Sequence, residues 1–187
     1  MSEFAFFTNA YHSKAMGYLI LTCVMLFLAI FIHGMSAWLQ RRYKIYDHLG
    51  PMAWTTHQFV ISPAWIIFFV MSTQVGYFAS WPMPIIVPEL GWLLLVIAIF
   101  LMISALTIMD IQVLTNGWLF GKGSRRAIHE GIYKYLANPF YDGLALIYIA
   151  AAFITNNAAF LVIGFVMHGL LNHFQAKLEN IADSLVK

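Results

Sequence analysis

Four long stretches of the chain contain no Asp, Glu, Lys or Arg. They lie between Lys14 and Arg41, between Asp47 and Glu89, between Glu89 and Asp110, and between Asp142 and Lys177. A helix needs about 20 apolar residues to cross the hydrocarbon of a bilayer. The pattern therefore predicts membrane-spanning helices, which we place at about 16–39, 53–80, 86–114, 140–155 and 158–178.

The last stretch is long enough for one very long helix or for two shorter ones. Asn156 and Asn157 lie in its middle, and asparagine favours turns and helix caps. We therefore predict a hairpin of helices 4 and 5, with Pro139 as the first residue of helix 4. Pro63 is expected to kink helix 2, and neighbouring helices would satisfy the carbonyl that it frees.

Composition agrees with a lipid environment. The chain is 61% hydrophobic and only 10% charged, whereas soluble domains have about 25% charged residues. Its formal net charge of +2 is too small and too scattered to suggest a nucleic-acid partner. Cys23 is the only cysteine, which excludes a cysteine-based metal site, and we predict no metal centre.

The basic residues predict an orientation, because Lys and Arg are enriched in cytoplasmic loops. With five spans, nine of the ten basic residues fall on one side, and only Lys14 falls on the other. We expect the basic side to face the cytoplasm and the N-terminus to lie outside. The segment Gln40–Pro51 is expected either to lie at the membrane interface or to be a plain connecting loop.

The longest polar stretch, Thr115–Asp142, lies on this basic side. It is rich in glycine, which permits close backbone approach to a ligand, and it ends in several tyrosines and an Asn-Pro pair. An ordinary interfacial loop anchored by tyrosines would have the same composition. Residue types alone leave these two interpretations open.

The order of residues in this stretch resembles a signature of the integral-membrane methyltransferases. Gly131-x-Tyr133 is followed by Asn138-Pro139-x-Tyr141-x-Gly143, and Glu179 lies 40 residues after Pro139. Isoprenylcysteine carboxyl methyltransferases and phosphatidylethanolamine N-methyltransferases have a similar run, then a helical hairpin, then a pair of acids. The resemblance covers about residues 115–180.

The chain departs from the carboxyl-methylating branch at three positions. Ala137 stands where that branch has Arg, Asn138 stands where it has His, and Leu178 takes the place of the first acid. An isoprenylcysteine carboxylate would favour a cationic partner such as Arg. The Asn-Pro-x-Tyr form is similar to the phospholipid branch, so a phospholipid amine is the first expected acceptor.

The resemblance implies S-adenosylmethionine as the methyl donor and membrane lipids as partners, with a hydrophobic acceptor entering from the bilayer. Glu179 would accept from the amino group of the donor, and backbone N–H groups near Gly131 or the start of helix 4 would bind its carboxylate. His129 and Asp142 are the candidate bases for the acceptor. The expected cofactor-binding residues are Gly131, Tyr133, Tyr135, Asn138, Pro139, Tyr141, Gly143 and Glu179.

We therefore predict an all-α polytopic membrane protein with a C-terminal helical hairpin and a cytoplasmic cofactor pocket. Residues 1–187 form a single membrane domain, with helices 1–3 in 1–114 and the cofactor-binding loop, helices 4–5 and tail in 115–187. One alternative is a relative of the sterol reductases that uses NADPH. The other is a small membrane protein that binds haem through histidines within the helices, which are His33, His57, His168 and His173.

Overall fold

The computed structural model describes residues 3–79, 81–84, 87–108, 117–120 and 131–175. These residues form helices joined by short turns, and no strand occurs among them. The α-helices are α1 (Glu3–Tyr43), α2 (Ala53–Phe78), α3 (Pro88–Ile108), α4 (Pro139–Thr155) and α5 (Ala158–Leu170). Short 3-10 helices cover Asp47–Met52, Gly117–Phe120 and Gly131–Lys134, and a π-helical turn, Leu171–Gln175, continues α5.

α1 is much longer than the predicted 16–39, because a helix can continue through polar residues beyond an apolar span. It ends at Tyr43, where Lys44 adopts a left-handed conformation with φ of 51°. Buried Gln40 organises the turn that follows. Its side-chain oxygen accepts from the Tyr46 amide at 2.9 Å, and its Nε2 donates to Asp47 at 2.7 Å.

The predicted starts of the later helices agree with the structure to within two residues. α2 begins at Ala53 and contains Pro63, and α3 begins at Pro88. The predicted ends of helices 3 and 5, at about residues 114 and 178, both lie outside the described residues. The segment Gln40–Pro51 holds the end of α1 and a 3-10 helix, so it is not a plain loop, and its position at the membrane interface stays a prediction.

Neighbouring helices run antiparallel. Thr22 of α1 donates to the Met71 carbonyl of α2 at 3.3 Å, while Ser36, further along α1, contacts His57, earlier in α2. The end of α2 meets the start of α5, where Gly76 packs on Phe160. The starts of α2 and α4 and the ends of α1, α3 and α5 therefore lie at one end of the bundle.

α4 packs closely between α3 and α5 because small residues line both contacts. A Cβ at Gly143 would lie 2.8 Å from the Ala98 carbonyl oxygen, and one at Gly91 would lie 2.9 Å from that of Ala150. On the other side, a Cβ at Gly164 would lie 3.0 Å from the carbonyl oxygen of Ala145. Small residues let helix backbones approach in this way in membrane proteins.

The predicted hairpin turn is confirmed at Asn156 and Asn157. Asn156 has φ of 51° and ends α4, while the Asn157 side chain caps α5 by accepting from the Ala159 amide at 3.1 Å. Asn157 also donates to the carbonyl of Ala79, just after α2. The turn is thereby tied to the α2–α3 connection, at the end of the bundle opposite the polar stretch.

The outer surface of the helices is apolar, with large exposed side chains such as Phe59 and Val96. By length and composition, three segments of the described chain could cross a membrane: Lys14–Tyr43, Asp47–Phe78 and Pro88–Ile108. The two helices of the hairpin are apolar but shorter. The fold is thus all-α and suited to a membrane.

Candidate functional site

The polar stretch docks on the end of α3 through Gly131. This residue has φ of 55°, a left-handed conformation that glycine adopts without strain. A Cβ at this position would also collide with the Ile108 side chain. Both observations explain a glycine here, since it lets the 3-10 helix Gly131–Lys134 turn against the bundle toward α4.

Asn138 precedes α4 in the N-cap position, yet its side chain does not cap the helix. Instead its Nδ2 donates to Oδ1 of Asn172, which lies in the π-helical turn, at 3.0 Å. Its backbone carbonyl accepts from the Asp142 amide of α4 at 3.0 Å. The start of α4 therefore lacks a side-chain cap and is linked directly to the end of the hairpin.

A network of four polar side chains joins the two ends of the hairpin. Oδ1 of Asp142 accepts from Nδ2 of Asn172 at 2.9 Å and lies 3.2 Å from Nδ1 of His168. Asp142 is 20% exposed, whereas His168 is 55% exposed. The structure thus brings the predicted base Asp142 together with Asn138, and adds His168 and Asn172.

The protonation of His168 decides what this network can do. If Nδ1 carries the proton, it donates to the Asp142 carboxylate, and Nε2 keeps a free lone pair that can accept a proton. If Nδ1 is unprotonated, it accepts from Asn172 Nδ2, 3.0 Å away, and Nε2 carries the proton. Nδ1 lies 3.0 Å from the Asn172 amide nitrogen and 3.2 Å from the carboxylate, so the first arrangement also requires Asn172 to turn its second N–H away from the ring.

The π-helical turn at Leu171–Gln175 carries Asn172. Such turns are rare and occur frequently at functional sites. Leu171, the first residue of the turn, is buried in the core at 1% exposure. Asn172 is half-buried and points its amide toward α4. The local change of helix pitch therefore accompanies the inward polar contact.

The other predicted site residues have mainly structural surroundings. Pro139 is buried at the first position of α4, and Gly143 packs α4 on α3. Tyr141 packs against the apolar core, and Tyr133 is half-buried. Tyr135 is 77% exposed, with the Lys134 ammonium 5.8 Å from its ring centre. These surroundings do not test a role in cofactor binding, which stays a prediction for all five.

His129 and Glu179 lie outside the described residues. Asn172 had no predicted role, and His168 was considered only as a haem ligand. A signal for both exists in the sequence. His168 and Asn172 are polar residues four positions apart on an apolar helix, so they share one face. Counted from the Asn156–Asn157 turn, they lie within about three residues of Asp142 and Asn138, so an antiparallel hairpin brings the two pairs close to each other.

A comparison with known families matches the part of the chain that contains these residues. Residues 87–181, slightly more than half of the chain, match the model of a family described as phospholipid methyltransferase. The match includes α3, α4 and α5 with the whole polar network, and leaves α1 and α2 outside. Neither a curated protein nor a solved structure matches the chain.

Proposed function

The chain belongs to the phospholipid methyltransferase family, and from this membership we propose that it transfers a methyl group from S-adenosylmethionine to the amine of a phospholipid. The observation that carries the proposal is the Asp142–His168 pair. It lies inside the family match and at the end of the bundle where the polar stretch docks. Family membership also favours methyl transfer over the reductase and haem alternatives.

The start of α4 fits the carboxylate of the donor. Because Asn138 turns its side chain to Asn172, no side chain caps the first turn. N–H groups and the helix dipole at such a terminus favour an anion. Glu179, which the structure does not describe, would accept from the donor amine. When bound, S-adenosylmethionine would supply the electrophilic methyl group.

The residues of this chain would supply the base. A protonated head-group amine cannot attack until it loses a proton to a neighbouring base. With Nδ1–H donating to Asp142, His168 Nε2 is free to accept that proton, and its exposure leaves it accessible. We therefore propose His168 as the base and Asp142 as its positioning partner, with His129 still a candidate.

Two measurements on purified protein in detergent test the activity. Calorimetry should show saturable binding of S-adenosylmethionine that E179A weakens. Labelled donor should pass its methyl group to dioctanoyl phosphatidylethanolamine. If neither the donor nor its demethylated product binds, the proposed function is wrong.

We also propose five membrane spans, with the polar network facing the cytoplasm. The antiparallel helices and the concentration of basic residues near the ends of α1 and α3 support this topology. Cysteine variants in a C23A background test it in intact cells. An impermeant maleimide should label P84C from outside and H48C only after permeabilisation, and the reverse result would invert the orientation.

A further inference from the structure

A second polar cluster lies at the same end of the bundle, on helices outside the family match. Ser36 Oγ of α1 lies 2.9 Å from Nδ1 of His57 on α2 and 2.8 Å from the hydroxyl of Tyr46. His57 has no exposed surface, and Ser36 is 5% exposed. The three side chains form one hydrogen-bonded chain inside the protein, which we call the Ser36–Tyr46–His57 chain.

In one arrangement of protons, each of the two hydroxyls donates to another member of the Ser36–Tyr46–His57 chain. Tyr46 donates to Ser36, and Ser36 donates to Nδ1 of His57. A neutral imidazole that accepts at Nδ1 carries its proton on Nε2. In this arrangement the ring carries an N–H donor at Nε2.

That donor is unused among the described residues. Nε2 of His57 is buried without a hydrogen-bond partner. Leaving a buried polar atom unpaired costs stability, whereas an apolar ring of similar shape would not. Such an orphan in a native protein calls for an explanation, and a ligand that accepts from Nε2 is one.

A cleft lies near His57, and two of its lining residues are neighbours of this histidine. It has a volume of about 380 Å³ and is lined by Asp47, Gly50, Ala53, Leu119 and Phe120. Ala53 is one helical turn before His57 on the same face of α2. The Phe120 ring centre is 5.2 Å from that of His57. Phe120 thus lines the cleft and also packs against the His57 ring.

Charges of both signs occur in the segment that leads from the end of α1 to the cleft. Arg41 and Arg42 occupy the last turn of α1, and Lys44 follows them. The carboxylate of Asp47 lines the cleft and is held by Gln40. Cations favour a phosphate and the carboxylate favours an ammonium group, while Leu119 and Phe120 provide apolar surface. This combination suits a zwitterionic lipid head group.

We propose that this cleft binds the head group of a zwitterionic glycerophospholipid, with a phosphodiester or ester oxygen accepting from His57 Nε2. The inference rests on the proposed function in one respect, since the occupant would be the acceptor lipid. The oxygen bound by His57 is one that methylation of the amine leaves unchanged. The site therefore holds the lipid and its mono-, di- and trimethylated forms about equally.

Native mass spectrometry of the full chain in detergent measures this binding. The probes are dioctanoyl phosphatidylethanolamine and its N-methylated forms, dioctanoyl phosphatidylglycerol, and glycerophosphoethanolamine. Wild type should prefer the zwitterionic lipids regardless of methylation. H57F, which removes the donor, should weaken their binding about tenfold or more, as expected for a lost hydrogen bond to a charged group. H57Q, whose amide can still donate, should lose less.

A matched control is F59L on the same helix, because Phe59 is 75% exposed and two residues away; it should bind lipid as wild type does. H57F removes the orphan nitrogen but also leaves the buried Ser36 hydroxyl without its acceptor, so its melting temperature is measured as a check of folding. Unchanged lipid binding in H57F overturns the proposal. If H57F does not fold, H57M provides the same comparison with a more adaptable apolar side chain.

Two further measurements distinguish a failure of this lipid site from a failure of the proposed methyltransferase activity. Binding of glycerophosphoethanolamine as tight as that of the lipid would overturn a lipid site. Donor binding measured by calorimetry should be the same in H57F and wild type. Loss of lipid binding with donor binding intact supports the site, whereas a wild type that binds lipid through His57 but no donor would refute only the methyltransferase proposal.

Discussion

Asp142 on α4 and His168 on α5 face each other across the hairpin, with Oδ1 and Nδ1 3.2 Å apart. Asp142 belongs to the motif that resembles the membrane methyltransferases, whereas His168 lies in an apolar run with no motif around it. The fold, not the chain order, makes them partners. The base that we propose for the acceptor amine therefore depends on two helices rather than on one loop.

The first prediction concerns this pair. H168A should lower kcat for methyl transfer to a phospholipid amine by about 100- to 10,000-fold, the usual contribution of a general base. Donor binding by calorimetry should change little. H173Q provides the control, because His173 is an exposed histidine five residues further on, and it should keep nearly full activity. Wild-type kcat in H168A would exclude His168 as the base.

The second prediction concerns Asn138 and Asn172, whose side chains are linked at 3.0 Å. Each single alanine variant leaves the other amide without this partner, which costs about 1–3 kcal/mol for a buried group. The double variant should therefore be less destabilised than the two single variants added together. A double-mutant cycle on thermal unfolding measures this coupling, expected at about 0.5–3 kcal/mol. Strict additivity would show that the hydrogen bond contributes nothing.

Much of the fold follows from residues that act locally. Pro139 and Asn157 mark the starts of α4 and α5 because proline suits the first helical turn and asparagine caps it. The start of α1 was predicted wrongly, since absence of charge locates an apolar span and not the ends of a helix. Its extension from residue 16 back to Glu3 requires only that no proline or glycine interrupts those residues.

The roles of the site residues were harder to predict from sequence. A glycine in a motif can make room for a ligand or for a neighbouring helix, and the motif does not say which. The Ala98 carbonyl oxygen lies only 2.8 Å from where a Cβ of residue 143 would be, and no local pattern identifies that neighbour. Asn172 acts through contacts with two residues about thirty positions away. Only the register of the hairpin reveals these partners, and that register depends on the turn at Asn156.

The third prediction uses the close contact of α3 with α4. In G143V, the added Cβ would lie 2.8 Å from a backbone oxygen and 2.7 Å from the Met102 side chain. Relieving this overlap must move the helices apart and should destabilise the protein by about 1–3 kcal/mol. G169A in α5 is the control, since nothing lies within 4 Å of a Cβ there, and it should be neutral or slightly stabilising. Scanning fluorimetry of both variants gives the comparison, and equal melting temperatures would contradict the packing.

The fourth prediction separates two roles of Asn157 at the opposite end of the bundle. Its side chain caps α5 through Ala159 and also donates to the Ala79 carbonyl. N157A removes both contacts, together with a long bond from the Trp81 amide at 3.4 Å. It should cost about 1–3 kcal/mol, because a cap is lost and a buried carbonyl loses a donor. Serine can still cap but is too short to reach Ala79, so N157S should recover only part of the stability. If N157S unfolds at the wild-type temperature, the cap alone stabilises the turn and the link to α2 contributes nothing measurable.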